Sequence, residues 1–429
     1  MSQQDSLSQI AAALDGYDPN AVAVTQAQRI IQDFVKPIHG MELIPVREAL
    51  GRVLADDVVS PISVPAHDNS AMDGFAFRGS DLAADAPTTL AIVGTALAGR
   101  RFDGAVASGQ CVRIMTGAVM PDDCDTVVPQ ELTQAASDTT VTIPLNTIQT
   151  GDNRRKKGED LMEGQPALPR GRVLRPADLG LLASLGIAEA AVRRRLKVAF
   201  FSTGDELRSL GEPLDPGCIY DSNRYTILGM LTRLGCELMD MGVVPDNAES
   251  LEAALRSACE NADAIITSGG VSVGEADYTK AIMAKLGDVT FWKIGMRPGR
   301  PLAFGTITSN GKKAYLFGLP GNPVAVMVTF YFFARDALLR MMGAREAALP
   351  QLRATSLADI RKKPGRTEYQ RGILSTDTQG QPVVRITGSQ GSGVLRSMSE
   401  ANCMVVLHHQ QGSVRAGEAV DVVLFDGLV

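Results

Sequence analysis

Apolar residues recur at helical spacing at Ile30, Ile31, Phe34 and Val35, and the string PIHGMELIPV then breaks the period. Residues 25–54 therefore predict a packing helix followed by an irregular return. Across 58–157 the pattern shortens to Val-, Ile- and Thr-rich runs such as TLAIVGTAL and TVTIPL, separated by Gly, Asp and Pro turns, which predicts a β-rich unit. RVLRPADLGLLASLGI at 172–187 places Pro176 near a helix start, with an apolar stripe after it.

From Leu196 the pattern alternates. KVAFFSTGDEL reads as a buried strand and turn, NRYTILGMLTRLG as a helix ending at Gly235, and CELMDMGVVPD as a strand. AESLEAALRSACENA follows as a helix and DAIITSGG as another buried strand. Strands separated by helices of this length predict right-handed crossovers and a parallel sheet covered on both faces, with ligands beyond the strand C-terminal ends. From about 352, short strands return in LRATSLAD, TEYQRGILS, PVVRITG, ANCMVVL and AVDVVLF, predicting a terminal barrel or sandwich. The fold class is α/β and multidomain.

Length and composition agree with several domains: 429 residues, 45% hydrophobic and 21% charged. A net charge of −6, 5% aromatics and a single tryptophan, Trp292, argue against nucleic-acid binding. Six scattered cysteines form no CxxC pair, so reduced and mostly buried thiols are expected, with neither a zinc site nor a disulfide framework. His39, His67, His408 and His409 lie in no nucleophile-elbow context. MSQQDSLSQI lacks a basic region followed by an apolar one, and no apolar run of about 18 residues occurs, so a cytoplasmic protein without membrane contact is expected.

Polar and glycine residues collect where three predicted strands end: Ser202-Thr203-Gly204-Asp205-Glu206, Asp246 and Thr267-Ser268-Gly269-Gly270. Gly269, Gly270 and Gly274 suit an anion-binding turn, because positive φ lets backbone N–H groups approach a phosphate, although an ordinary tight turn uses the same residues. Glu206, Asp221, Asp246, Glu275 and Asp277 would repel a phosphate there unless a divalent metal joined them, and an oxygen-only donor set points to Mg²⁺. Each acid alone also reads as a solvated surface group or helix cap. KIGMRPGRP sets Lys293, Arg297 and Arg300 on a stiff loop suited to an oxyanion, and Pro320, Gly321 and Pro323 make a rigid turn before an apolar helix at 324–339. A second polar group, Asp68, Asp73, Thr116, Arg154, Arg155 and Asp160, lies in the β-rich unit, where solvated turns explain it equally.

Taken together, DNSAMDGFA, RIMTGA, RRKKGED, STGDEL, IYDSNRY, TSGGVSVGEADYTK, MRPGRPLAFG and GLPGNPVA resemble the MoeA-type molybdopterin molybdenumtransferases, the family that includes the gephyrin E domain, and occur in that family's order. The resemblance runs from about residue 56 to the C-terminus. It implies an elongated, L-shaped, four-domain subunit that dimerises, with a central molybdopterin-binding domain and a C-terminal β-barrel. The division it suggests is 1–57 (N-terminal helical segment and part of a linker domain), 58–157 (inserted β-rich domain), 158–195 (return through the linker), 196–345 (α/β domain) and 346–429 (barrel). The implied reaction joins molybdate to adenylylated molybdopterin with release of AMP, with Mg²⁺ as the associated metal, and contact with the pathway's adenylyltransferase is a further expectation.

By the same resemblance Asp73, Thr116, Asp160, Glu206, Asp246 and Asp277 take catalytic positions, and Glu206, Asp246 and Asp277 are the metal candidates. The substrate-binding expectations are Ser202, Thr203, Gly204, Asp221, Ser268, Gly269, Gly270, Ser272 and Gly274 around the strand ends. Lys293, Arg297, Arg300, Pro320, Gly321 and Pro323 follow from the next two loops, and Arg155, Arg371 and Ser392 come from outside them. Arg297 and Arg300 stand where many relatives carry Lys in a KPGKP string, which keeps the charge and changes its geometry. Two other readings use related domains: a molybdopterin adenylyltransferase, which is a shorter single-domain chain, and a non-enzymatic scaffold of the gephyrin type.

Overall fold

The central sheet is built from Lys197–Thr203 (β1), Glu237–Val244 (β2), Ala264–Ser268 (β3), Gly287–Lys293 (β4), Pro301–Ser309 (β5) and Lys312–Leu319 (β6). Their order is β2-β1-β3-β6-β5-β4 in this computed structural model, which describes residues 6–12, 16–134, 137–270, 277–345 and 349–428. β1 and β3 are buried almost end to end, as strands covered on both faces must be. Val198 and Phe200 of β1 join one core with Ile227 and Leu231 of helix Ser222–Arg233 (α1); Ala199 and Phe201 join another with Leu251 and Leu255 of Ala248–Asn261 (α2). Met283 of Asp277–Leu286 (α3) lies in the second core and Val324 of Pro323–Thr329 (α4) in the first.

The sheet is not wholly parallel. β2, β1, β3 and β6 run parallel, but β5 is reversed, pairing antiparallel with β6 on one side and with β4 on the other. The cause is the connection Asn310-Gly311, with φ of 47° and 73°, which joins Ser309 directly to its partner Lys312. Two residues with left-handed backbone make a tight hairpin and leave no chain for a crossover. The expected apolar helix at 324–339 is found as α4, a buried π-helical stretch Phe330–Ala334 and a further helix Arg335–Met341.

At the C-terminus the choice between barrel and sandwich resolves to a barrel. Thr367–Thr376 (β7) pairs with both Pro382–Ile386 and Cys403–Leu407, closing five strands on themselves. Met296–Arg297 adds to the open end of β7 in parallel, with Arg297 opposite Glu368, so central domain and barrel share a strand pairing. They also share a core, in which the Phe332 and Tyr369 rings stack at 4.0 Å. Helix Val24–Phe34 packs on that core too, the Phe34 ring edge-on to Phe304.

Two smaller units complete the chain. Met41–Pro45 pairs antiparallel with Glu189–Arg193 over a separate small core, and a five-stranded sheet spans Gly74–Phe77 to Thr140–Ile143. The accessible surface of 21180 Å² exceeds the roughly 16,000 Å² expected of a compact 45.5 kDa chain, which reflects these separate units. All six cysteines are free and four are buried; burial pushes the Cys111 and Cys124 thiols up to about 12. Among the described residues no helix is long and apolar enough to cross a membrane.

Candidate functional site

A cleft of about 840 Å³ opens at the C-terminal ends of β1, β3 and β6 and extends to the barrel. Its floor depends on glycine. Gly269 and Gly270 have φ of 92° and 67°, and a Cβ on Gly269 would meet the Thr203 carbonyl oxygen at 2.5 Å. The strand ends therefore approach each other more closely than any side chain permits. Gly204 plays a related part: a Cβ there would meet Glu206 Oε2 at 2.5 Å, so its absence lets the Glu206 carboxylate fold back over the end of β1.

The wall at α1 is a buried polar network. Asp221 caps the helix, its Oδ1 accepting from Arg224 N–H at 3.1 Å and from the Ser202 hydroxyl at 3.0 Å. Asn223 Nδ2 donates to Ser268 Oγ at 2.7 Å and to the Gly321 carbonyl at 2.6 Å, tying the β3 turn to the Pro320-Gly321 turn. Asp221 Oδ2, Asn223 Oδ1 and Thr203 Oγ1 are buried and find no hydrogen-bond partner among the described residues. Such acceptors are costly unless a ligand or ion satisfies them. On the far side Asp246 accepts a hydrogen bond from the Tyr278 hydroxyl, whose pKa is pushed up to about 12 by burial and then by that carboxylate.

The opposite wall is cationic. Arg297 and Arg300 are exposed to the cleft on a loop closed by the Ile294 N–H to Arg300 carbonyl bond at 2.6 Å, and Gly299, at φ 91°, packs against Thr329. The barrel supplies Arg366, Gln390 and Ser392. Behind them Arg371 is wholly buried: Nε donates to Ser397 Oγ at 3.0 Å and Nη2 to the Gly391 carbonyl at 2.9 Å. Burial, and then the nearby Arg297, lower its pKa to about 10, so it stays charged at neutral pH. Arg297 and Arg371 also line a second cavity of about 330 Å³ adjoining the barrel.

Of the residues expected from sequence, Thr203, Gly204, Glu206, Asp221, Asp246, Ser268, Gly269, Gly270, Arg297, Arg300, Pro320, Gly321, Pro323 and Ser392 line the cleft, and Ser202 supports it through Asp221. Lys293 is half-buried in β4 and does not line it. Asp73, Thr116, Arg155 and Asp160 sit in the other β-rich unit: Thr116 donates both N–H and hydroxyl to Asp73 Oδ1 at 2.7 Å, which holds that carboxyl below its usual range. Ser272 and Gly274 lie outside the described residues, as does the Asp277 side chain, although Asp277 begins α3. Asn223, Tyr278, Arg366 and Gln390 line the cleft as well and are not among the sequence expectations, although Asn223 stands in the helix-start string IYDSNRY and Arg366 in PGRTEYQRG beside Arg371.

A doubly glycine-floored cleft at the carboxyl ends of an α/β sheet, faced by an arginine loop and by one arginine of an appended barrel, defines a multidomain protein built to hold a phosphorylated or oxyanionic small molecule. Residues 22–186 match the MoeA N-terminal region (domain I and II), 199–340 the probable molybdopterin binding domain, and 353–425 the MoeA C-terminal region (domain IV). The chain belongs to the MoeA family. It is 43% identical over 389 residues to a molybdopterin molybdenumtransferase of Haemophilus influenzae, covering 90% of this chain and 95% of that one. A molybdopterin molybdenumtransferase of a Nostoc species is 36% identical, covering 88% and 87%. The crystal structure of a molybdopterin biosynthesis moeA protein from Pyrococcus horikoshii OT3 superposes with a TM-score of 0.81 at 27% identity, over 95% of this chain and 100% of that one.

Proposed function

We propose that this chain is a transferase of molybdenum-cofactor biosynthesis, a molybdopterin molybdotransferase that transfers molybdate to adenylylated molybdopterin with release of AMP. The observation that carries the reading is the cleft itself, in which the glycine floor of β3 faces Arg297, Arg300 and Arg366 of the barrel. The floor's backbone N–H groups cradle the pterin phosphate, and the guanidinium forks hold molybdate beside the adenylyl phosphorus. Positioning of two anions that repel each other in water is the larger part of such catalysis. The dithiolene that receives molybdenum belongs to the substrate, so buried thiols such as Cys111 and Cys124 need take no part.

Mg²⁺ fits the wall by donor chemistry: Glu206 and Asp246 line it, and Asp221 Oδ2 and Thr203 Oγ1 are unpartnered oxygens. Among the described residues no three Asp, Glu, His or Cys converge as a metal cluster, so the ion would be held by one or two carboxylates, with Asp277 a further candidate, and by substrate phosphate oxygens. When bound, it supplies charge neutralisation to the pyrophosphate. Asp73, Thr116, Arg155 and Asp160 do not line the cleft of their own chain; in this reading the subunits form a homodimer in which that group completes the cleft of the partner. The reading also places the protein in the cytoplasm, in contact with the pathway's adenylyltransferase, and keeps the five-part division at 57, 157, 195 and 345. Purified protein given molybdate and adenylylated molybdopterin should release AMP and yield cofactor that activates an apo-molybdoenzyme. ATP-dependent adenylylation of molybdopterin without molybdate would overturn the assignment.

A further inference from the structure

Arg366 belongs to the barrel yet lines the cleft, and the structure gives it an unusual support. Its Nε donates to Glu368 Oε1 at 2.8 Å, while Gln370 Nε2 donates to Glu368 Oε2 at 3.1 Å. Both Glu368 oxygens are thus engaged, and Arg366, Glu368 and Gln370 form a ladder at every second position on one side of the strand. The Glu368 side chain is only 4% exposed, whereas that of Arg366 is 42% exposed. An exposed ion pair contributes little, but a carboxylate withdrawn from water is costly, so stability alone gives this pairing no advantage. What the arrangement does supply is aim. The Thr367 N–H donates to the Gly295 carbonyl at 2.9 Å, fixing the start of β7 to the arginine loop, and Arg297 lies opposite Glu368 in register. Glu368 takes Nε alone, and the terminal amino groups of Arg366 make no hydrogen bond to protein among the described residues.

We propose that Arg366 is a further oxyanion-binding residue of this cleft, with Glu368 and Gln370 as its positioning residues. An arginine anchored through Nε keeps its two terminal nitrogens as a fork matched to a tetrahedral oxyanion, and Arg297 and Arg300 already make the neighbourhood cationic. Phosphate of the nucleotide and molybdate share that chemistry. The inference rests on the molybdenum-insertion reading only for the identity of the oxyanion.

The test uses the full-length protein and separate calorimetric titrations with AMP and with molybdate, alongside steady-state kinetics. Arg366→Ala should weaken one of the two anions about ten- to hundredfold and raise the matching KM, with kcat changed by less than about threefold. Whichever anion is affected names the group Arg366 holds. Arg366→Lys should restore only part of the affinity, because it keeps charge without the fork. Glu368→Gln should weaken the same anion by a smaller factor, and the double variant Arg366→Ala, Glu368→Gln should be no worse than Arg366→Ala alone, since the carboxylate acts through the arginine. Affinity and KM within twofold of wild type for both anions in Arg366→Ala would sink the proposal. Full additivity in the double variant would likewise remove the positioning role of Glu368. If wild-type protein released no AMP from adenylylated molybdopterin, the function would fail while the titrations still decided Arg366.

Discussion

Gly269 concentrates the local physics of the cleft in one residue. Its φ of 92° is open to glycine, and the missing Cβ is what lets β3 close on the Thr203 carbonyl. Gly269→Ala should destabilise the protein by about 1–3 kcal/mol, read as a lower Tm, and weaken anion binding because the floor must retreat. Arg371 should behave in the opposite way. It is a buried cation hydrogen-bonded to carbonyls and a serine hydroxyl, and none of its partners is a carboxylate. Arg371→Met should leave Tm nearly unchanged, because removing an uncompensated buried charge offsets the lost hydrogen bonds, and should lower molybdate affinity at least tenfold. Glycines and cations in short strings were the residues most legible in the sequence. Asn223 stands in such a string, IYDSNRY, but its role, bridging Ser268 and Gly321 across 45 and 98 residues of chain, is written in no local pattern.

At the level of elements, long apolar runs with period-matched helices make β1, β2, β3, α1 and α2 legible in the sequence. The β5–β6 hairpin departs from the expected crossover, and its signal is the Asn-Gly of SNGKK between two apolar runs. The strand pairing of Met296–Arg297 with β7 could not be read at all, as two residues carry no periodicity. The helix Pro176–Ser184, foreseen from Pro176, is held at its start by Asp178, whose carboxylate accepts the Arg175 N–H at 2.9 Å and pairs with Arg172 at 2.8 Å. The Arg172 hydrogen bond is the largest cause holding the Asp178 carboxyl below 3.8. A depressed carboxyl pKa stabilises the fold above the unfolded value and loses that contribution as pH falls through the folded one. Asp178→Asn should therefore lower stability by about 1–2 kcal/mol at pH 7, and the gap to wild type in denaturant titrations should shrink below pH 3.8.

The whole molecule raises a question that neither residues nor elements answer: why a second polar group, with Asp73 held ionised by Thr116, sits in a unit that does not line the cleft of its own chain. The homodimer proposed above answers it by having the β-rich unit of each chain complete the cleft of the other. The sequence supplied both polar groups but no distance between them, since relative placement of units is written in no local pattern. If each site takes residues from two chains, Asp73→Asn and Glu206→Gln should both be inactive alone, and equal mixtures allowed to exchange subunits should recover about a quarter of wild-type activity. Half of the dimers would then be mixed, and each mixed dimer would hold one site with neither substitution. Recovery should coincide with a particle of twice 45.5 kDa in sedimentation equilibrium. A mixture as inactive as its components, in a sample shown to exchange subunits, would show that Asp73 and Glu206 do not meet across a subunit boundary.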